Sequence, residues 1–161
     1  MITIRKASVK DVPVIFGLWE SLEEEHNAII LQKTPELKLL LAKKRNMAEI
    51  YKKNAKKVIT SKKEIIYIAE KDGKPAGYIE LTIDKRGYSI INVGVICDIF
   101  VKKEFRKLGV SSKLKQEAIK WFKSKKIKCV GLNVYMHNKH AYSVYKKWGF
   151  SDTDIRMMKK I

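Results

Sequence analysis

The amino-acid sequence predicts a single α/β domain built on a mixed β-sheet, and three observations lead to that fold class. The chain has 161 residues, enough for one domain with a packed core. Segments with strand and helix periodicity alternate in the order βαα, three strands, α, β, α, β. The composition is 45% hydrophobic with 8 Gly and 3 Pro, which excludes disordered and collagen-like proteins.

The first third of the chain predicts one strand and two helices. Residues 2–6 alternate in polarity, as a short strand does. Residues 8–11 resemble a capping box, and apolar side chains at helical spacing then predict a helix to about Glu25. A second helix is expected to start at residues 34–36, because proline is tolerated in a first helical turn.

The middle of the chain predicts strands joined by turns. Residues 65–70 are β-branched and aromatic, and a Lys-Asp-Gly-Lys turn connects them to residues 76–83, which form the second arm of a predicted hairpin. After a turn at 85–87, the apolar run 88–101 predicts a long strand. Gly94 interrupts this run and indicates a bulge or bend.

The last third of the chain predicts two helices and two strands. A helix is expected from 109 to about 125, and the nearly continuous apolar run 127–135 is typical of a strand covered on both faces. A short helix over about 139–147 and a final strand near 154–159 complete the order. We find no internal repeat and no linker.

The net charge of +18 is concentrated in two segments. Residues 33–63 and 102–128 each hold 11 Lys and Arg against 2 Glu, so the rest of the chain is neutral. Two basic blocks on a neutral body indicate either anion-facing surfaces or lysine-rich helix faces in contact with water.

The remaining sequence features predict a cytoplasmic domain that binds no metal and does not span a membrane. No apolar run approaches the roughly 20 residues that span a bilayer, and the N-terminus lacks a signal-peptide core. Cys97 and Cys129 show no C-x-x-C spacing and are expected to be buried small hydrophobes. His137 and His140 have no third ligand nearby, so no metal site is expected.

Residues 100–111 join the long strand to a helix through a loop suited to phosphate. The start of that helix presents successive backbone N–H groups at the positive end of the helix dipole. Gly109 permits a close approach, and four basic side chains add mobile charge around it: Lys102, Lys103, Arg106 and Lys107. The alternative is that Gly109 only turns the chain into the helix.

Two motifs resemble those of the GNAT superfamily of N-acetyltransferases. Arg106, Gly109 and Ser111 form R-x-x-G-x-S, similar to the family's Q/R-x-x-G-x-G/A, and residues 138–150 match N-x-x-A-x-x-x-Y-x-x-x-G-F. The resemblance covers the whole chain. It implies one GNAT-like domain over residues 1–161, with a mixed, mostly antiparallel sheet and splayed central strands flanked by helices.

The resemblance implies acetyl-CoA as co-substrate, with no metal. The acetyl group would pass to a primary amine, either a small polyamine-like molecule or a protein lysine or N-terminus, by direct attack in a ternary complex; such domains are often dimers. The implied contacts are the backbone of Ile99, Phe100 and Val101 for pantetheine, that of Arg106, Lys107, Leu108, Gly109, Val110 and Ser111 for the pyrophosphate, and Asn138 for the cofactor arm.

The chemistry of such a transfer needs an acid and a route for a proton. An aliphatic amine has a pKa near 10.4, so it must lose a proton before it attacks the thioester. The resemblance places Tyr145 near the sulfur as the acid, although Tyr145 also fits a core aromatic. The base is open between Asp98, Glu80 and water alone, and Asp98 is equally consistent with a structural carboxylate.

An acidic cluster at the end of the first predicted helix is a candidate acceptor site. It consists of Glu20, Glu23, Glu24 and Glu25. We hypothesise that it attracts a cationic amine; the alternative is an exposed helix end. A different function is also open, in which the basic segment 33–63 binds nucleic acid and the CoA site is vestigial. The sequence contains no recognisable nucleic-acid-binding motif, so this function is not favoured.

Overall fold

The computed structural model describes residues 1–84 and 91–161. These contain five strands and four α-helices, with short 3₁₀ turns at Val9–Asp11, Pro35–Leu41 and Lys103–Phe105. In chain order the elements are β1 (Ile2–Lys6), α1 (Val12–Lys33), α2 (Met47–Thr60), β2 (Glu64–Lys71), β3 (Lys74–Asp84), β4 (Val93–Val101), α3 (Val110–Ser124), β5 (Cys129–Leu132) and α4 (Lys139–Lys147). The turn predicted at 85–87 lies outside the described residues, as does the start of the strand predicted over 88–101.

The strands form one sheet in the order β1-β2-β3-β4-β5. The first three pairings are antiparallel, and β4 pairs with β5 in parallel. That parallel pairing ends at Ile96 and Leu132, although β4 continues to Val101. The predicted mixed sheet with splayed strands is therefore confirmed, and no strand among residues 1–84 and 91–161 pairs with the second half of β4 on the β5 side.

Helices cover both faces of the sheet because each strand alternates apolar side chains between two cores. On one face α3 packs Val110, Leu114 and Phe122 against the strands. On the other, α1 and α2 bury a second cluster, which contains Ala7, Val12, Ile15, Leu18, Leu22, Ala55, Ile59, Ile66, Ile68, Tyr78 and Phe100. None of the helices among residues 1–84 and 91–161 is long and apolar enough to cross a membrane.

A β-bulge in β4 changes which face its side chains point to. Asp98 lies opposite Glu80, but the next pair is Ile96 with Leu81, so Cys97 is an extra residue without a partner. Ile96 therefore packs in the α3 core, whereas Asp98, two residues later, faces the side of α1 and α2.

The bulge expected at Gly94 is consequently misplaced by three residues. Gly94 serves close packing instead, because a Cβ at this position would lie 2.5 Å from the Phe122 ring. Cys97 is exposed at the bulge, and Cys129 is exposed on the edge strand β5, so both were wrongly predicted to be buried.

The predicted hairpin and capping box are confirmed. The turn between β2 and β3 has φ of 51° at Asp72 and 77° at Gly73, the two positive values that a type I′ turn requires. At the start of the first helical segment, the Ser8 amide donates to Asp11 Oδ2 at 2.7 Å. Arg5 holds the same carboxylate through two hydrogen bonds, of 2.8 and 2.9 Å.

The two helices predicted in the first third have different bounds. α1 does not end near Glu25 but runs to Lys33, because its apolar face continues to the buried Ile30 and no glycine or proline intervenes. The second predicted helix is divided into a 3₁₀ segment, Pro35–Leu41, and α2. The backbone turns extended at Ala42, just before a run of basic residues, and Leu39 is 71% exposed.

The end of the chain departs most from expectation. Only Cys129–Leu132 of the predicted strand 127–135 pairs with a neighbour, and none of its residues is fully buried. The strand predicted at 154–159 is absent: residues 151–161 form no regular structure and are exposed. A strand must pair with a neighbouring strand, and β5 offers only four residues for such pairing.

Close strand packing at Gly77 provides a stability test. A Cβ there would lie 2.3 Å from the Phe100 carbonyl oxygen, a backbone atom of β4 that cannot move aside cheaply. We expect Gly77→Ala to lower the free energy of unfolding by about 1–3 kcal/mol in urea denaturation. The control is Gly17→Ala, in the interior of α1 with open space around it, which should raise stability by about 0.5–1 kcal/mol. Equal effects of the two changes would contradict the packing described here.

Candidate active site

The backbone amides of residues 107–111, in the loop between β4 and α3 and the first turn of that helix, are called the amide row. Lys107 and Gly109 both have positive φ, 62° and 84°, a backbone conformation found in anion-binding loops. Gly109 is the N-cap of α3, and no side chain caps the first turn. A Cβ on Gly109 would meet no atom within 4 Å, so the loop is not crowded on that side of Gly109. These donors fit a diphosphate group.

The Arg106 side chain, predicted to be a mobile charge near the phosphate, makes three contacts with other elements. Its Nε donates to the Val101 carbonyl oxygen at 2.9 Å, and its Nη2 donates to Glu25 Oε1 at 2.6 Å. The guanidinium also lies 5.8 Å from the centre of the Phe100 ring. Arg106 therefore joins the loop to β4 and to α1, and the exposed Lys103 and Lys107 remain as charges around the amides.

Asp98 and Glu80 form a pair of carboxylates across β4 and β3. The fully buried Tyr78 donates its hydroxyl proton to Asp98 Oδ2 at 2.9 Å. Burial raises the pKa of Asp98 above its ordinary value, in spite of that hydrogen bond. Burial, reinforced by the charge of Asp98, raises the pKa of Glu80 to about 7. The pair therefore takes up and releases a proton near neutral pH.

Two further side chains, Tyr51 and His26, interact electrostatically with this carboxylate pair. Tyr51 of α2 has a buried hydroxyl, and its ring stacks on Trp19 at 4.3 Å between centroids. His26 of α1 lies edge-on to Tyr135 at 4.9 Å, and burial lowers the pKa of His26, partly offset by the charges of Glu23 and Asp98. The site is thus enclosed by both helices and by the segment after β5.

The second motif serves mainly to begin and end α4. The Asn138 side-chain oxygen accepts from the Ala141 amide at 3.1 Å. At the other end Gly149 has φ of 90°, and the Phe150 amide donates to the Tyr145 carbonyl oxygen at 3.1 Å, a Schellman arrangement. The side chain of Asn138, which was predicted to contact the cofactor arm, therefore caps the N-terminus of α4.

The Tyr145 ring packs against Trp148 and Phe150, at 5.6 and 6.2 Å between ring centroids. Burial raises the pKa of Tyr145 to about 12, and the Asp98 charge adds to the shift. The structure thus brings Tyr145 into the electrostatic neighbourhood of Asp98.

The predicted acidic cluster is divided among three directions. Glu25 pairs with Arg106 at the loop, and Glu23 pairs with Lys43 at 3.1 Å. Glu20 and Glu24 are exposed on the outer face of α1. Glu23, Glu24 and Glu25 follow one another at about 100° per residue around the helix, so these three cannot all face one site. Of the four, Glu23 is the one whose charge acts on Asp98.

Sequence reasoning missed Tyr51, Tyr78 and His26. Tyr78 precedes Glu80 by two residues, so period-2 alternation places both on one face, and this signal was available. Tyr51 and His26 lie in ordinary helical patterns with no motif around them. His137 and His140 are exposed, and no group of three or more His, Cys, Asp or Glu in the described ranges is arranged to hold a metal ion.

A known protein family matches most of this sequence. The sequence profile of the acetyltransferase (GNAT) family matches residues 20–150, most of the chain. The chain belongs to the GNAT acetyltransferase family.

Curated relatives come from archaea. An uncharacterized N-acetyltransferase of Methanocaldococcus jannaschii is 32% identical over 106 residues, which cover 59% of this chain and 45% of that protein. An N-alpha-acetyltransferase of Sulfolobus acidocaldarius is 31% identical over 99 residues, covering 57% of this chain and 59% of that protein. The matches thus span about half the length of these relatives.

Solved structures share the fold over the full chain. The tetramutant of the BH1408 protein from Bacillus halodurans superposes with a TM-score of 0.81 at 16% identity and covers 99% of both chains. The aminoglycoside N-acetyltransferase AAC(6')-Iy, solved in complex with CoA, has a TM-score of 0.74 at 18% identity, covering 100% of this chain and 95% of that one.

The raised pKa of Glu80 has a consequence for stability. Because the folded state holds this proton more tightly than the unfolded chain, stability is lost as pH rises from about 4.5 to about 7. We expect Glu80→Gln to match the wild type near pH 4 and to exceed its free energy of unfolding at pH 8, by up to about 3 kcal/mol. Urea denaturation across this range measures the difference, with Glu24→Gln as the exposed control. A difference independent of pH would contradict the burial of Glu80.

Proposed function

We propose that this protein transfers the acetyl group of acetyl-CoA to a primary amine by direct attack. The observation that carries the proposal is the arrangement along β4. The amide row follows its carboxyl end, the carboxylate pair lies in its middle, and in the described part of the chain no strand pairs with the intervening edge on the β5 side. Membership of the GNAT family supports the same activity.

The loop supplies the binding site for CoA in this proposal. The backbone amides of residues 107–111 would hold the diphosphate, with the N-terminus of α3 favouring its negative charge. The Arg106 amide is already engaged, because it donates to the Lys103 carbonyl oxygen at 3.2 Å. The free edge of residues 99–101 would pair with the amide groups of pantetheine. Ser111 stands where the family motif has Gly or Ala, and its hydroxyl adds one more donor near the phosphates.

The carboxylate pair would accept the proton that the amine loses. A base works best when its pKa lies near the operating pH, and Glu80 with a pKa of about 7 meets this condition. Asp98 is held in place by the hydrogen bond from Tyr78, and its charge helps to raise the pKa of Glu80. Backbone N–H groups of β4 would polarise the thioester carbonyl as the amine nitrogen bonds to its carbon.

Tyr145 would return a proton to the departing CoA thiolate. Its raised pKa of about 12 keeps the phenol protonated at neutral pH, so the proton is available when the C–S bond breaks. The new amide then carries the acetyl group, and CoA leaves as the thiol.

The family match favours transfer over the alternative of a nucleic-acid-binding module. The Sulfolobus relative is named an N-alpha-acetyltransferase, and the AAC(6')-Iy enzyme acts on aminoglycosides, so both names specify amine acceptors. Polyamines, lysine side chains and protein N-termini are therefore the acceptors to test here. A homodimer stays a prediction.

The first test of the proposal is the pH dependence of acetyl transfer. We expect CoA release with an amine panel of polyamines, lysine peptides, free N-termini and aminoglycosides. For the best acceptor, kcat/KM should rise as Glu80 loses its proton near pH 7. Glu80→Gln should lower kcat about 100-fold and remove this limb of the profile.

Glu117→Gln, on α3 over the opposite face of the sheet, is the matched control and should keep both the rate and the profile. An unchanged profile in Glu80→Gln, together with its loss in Asp98→Asn, would assign the base to Asp98. Activity on no amine in the panel would refute the proposal for these acceptors.

The second test concerns the amide row. We expect Gly109→Val to weaken CoA binding at least tenfold by calorimetry, because a β-branched residue cannot keep φ of 84° and the amides turn away. Gly73→Val is the control, since Gly73 has φ of 77° and open space but lies in the β2–β3 turn. Both variants should lose stability, and only Gly109→Val should lose CoA. Equal CoA affinity in the two variants would refute the assignment.

A further inference from the structure

The Tyr51 hydroxyl is the buried polar group of this site that the transfer mechanism does not use. Among the side-chain atoms of residues 1–84 and 91–161, it is the one that is buried with no hydrogen-bond partner. A hydroxyl left in this state costs about 1–3 kcal/mol, so native structures rarely keep one without a reason. The residue lies on α2, within the basic segment whose function the sequence left open.

The phenol ring is held in place by neighbouring aromatic side chains. Tyr51 stacks on Trp19 at 4.3 Å and contacts Phe16 at 5.6 Å, and we call these three residues the aromatic cluster. Lys43 lies over the Trp19 ring and Lys52 over the Phe16 ring, each at 4.8 Å. Because these contacts hold the ring, its hydroxyl stays buried near the carboxylates and does not turn toward water.

The groups around the hydroxyl are mainly acceptors of hydrogen bonds. After burial itself, the carboxylates of Glu80, Asp98 and Glu23 raise the pKa of Tyr51, and the nearby Tyr78 hydroxyl acts in the opposite direction. The neighbouring Tyr78 gives its own proton to Asp98. Oxygen lone pairs therefore outnumber protons here, a composition that suits a ligand with several N–H donors and a positive charge.

We propose that the Tyr51 hydroxyl accepts a hydrogen bond from the ammonium form of the acceptor amine and sets the affinity for it. The inference rests on the proposed acetyltransferase function, because it assigns a role at that enzyme's acceptor site. A primary ammonium group has three N–H donors, one for Tyr51 and others for Glu80 and Asp98. Tyr51 is thus a substrate-binding residue, and the carboxylates alone take the proton.

This assignment accounts for one part of the basic segment. α2 buries Ala55 and Ile59 against the sheet, and Tyr51, one turn earlier, reaches the carboxylates from the same side of the helix. The lysines of α2 lie on its other faces, where Lys52 covers the outside of the aromatic cluster. Although the segment 33–63 is strongly basic, it therefore brings an uncharged hydrogen-bond acceptor, the Tyr51 hydroxyl oxygen, to the site.

The experiment compares Tyr51→Phe with the wild type, using three acceptors: spermidine, a lysine peptide with a blocked N-terminus and a peptide with a free N-terminus. The variant keeps the ring and removes one oxygen. We expect the KM for the acetylated amine to rise about tenfold, as for a hydrogen bond to a charged group, with kcat and the KM for acetyl-CoA within twofold. Because the lost oxygen had no partner, Tm should stay equal or rise.

Tyr67→Phe is the control, since Tyr67 lies on β2 and packs against the α3 core on the opposite face. It should leave the KM for the amine unchanged. An unchanged amine KM in Tyr51→Phe would overturn the inference. So would a lower Tm together with a shifted pH profile, which would show that the hydroxyl supports Tyr78 and Asp98. If the wild type acetylates none of the three amines, the proposed function fails for them and the inference fails with it.

Discussion

The extra residue in β4 is the structural constraint on which the site depends. With regular alternation, Asp98 would share the face of Ile96 and point into the apolar core under α3. The bulge at Cys97 reverses the alternation, so that Asp98 meets Tyr78 and lies opposite Glu80 on the face covered by α1 and α2. Just beyond, the separation of β4 from β5 opens the strand edge that leads to the amide row.

The site is stabilised by its surroundings rather than by its own interactions. Carboxylates in a half-buried position are destabilised when charged, and the raised pKa of Glu80 expresses that cost. The cost is offset by the two cores that flank the sheet and by the contacts of Arg106, which fasten the loop to β4 and to Glu25 of α1. A residue that looks like a phosphate ligand in sequence thus holds the two halves of the site together.

Much of the fold follows from local patterns. The β2–β3 hairpin, the α3 helix and the start of α1 depend on turn residues, capping residues and periodicity, all of which act within a few positions. The elements that differed depend on distant partners: β5 is short because β4 diverges from it, and residues 154–159 form no strand. α1 likewise continues beyond its predicted end near Glu25, because tertiary packing keeps Ile30 buried.

The sequence by itself determined the family, the phosphate-type loop and the candidates Asp98, Glu80 and Tyr145, because these reside in contiguous motifs or in polar residues within apolar strands. The tertiary structure alone decided that Arg106 is a structural link and that the acidic run divides among three directions. It also brought Tyr51 to the carboxylates from 29 positions before Glu80. Contacts across such separations depend on how helices dock on the sheet, and no local pattern encodes that.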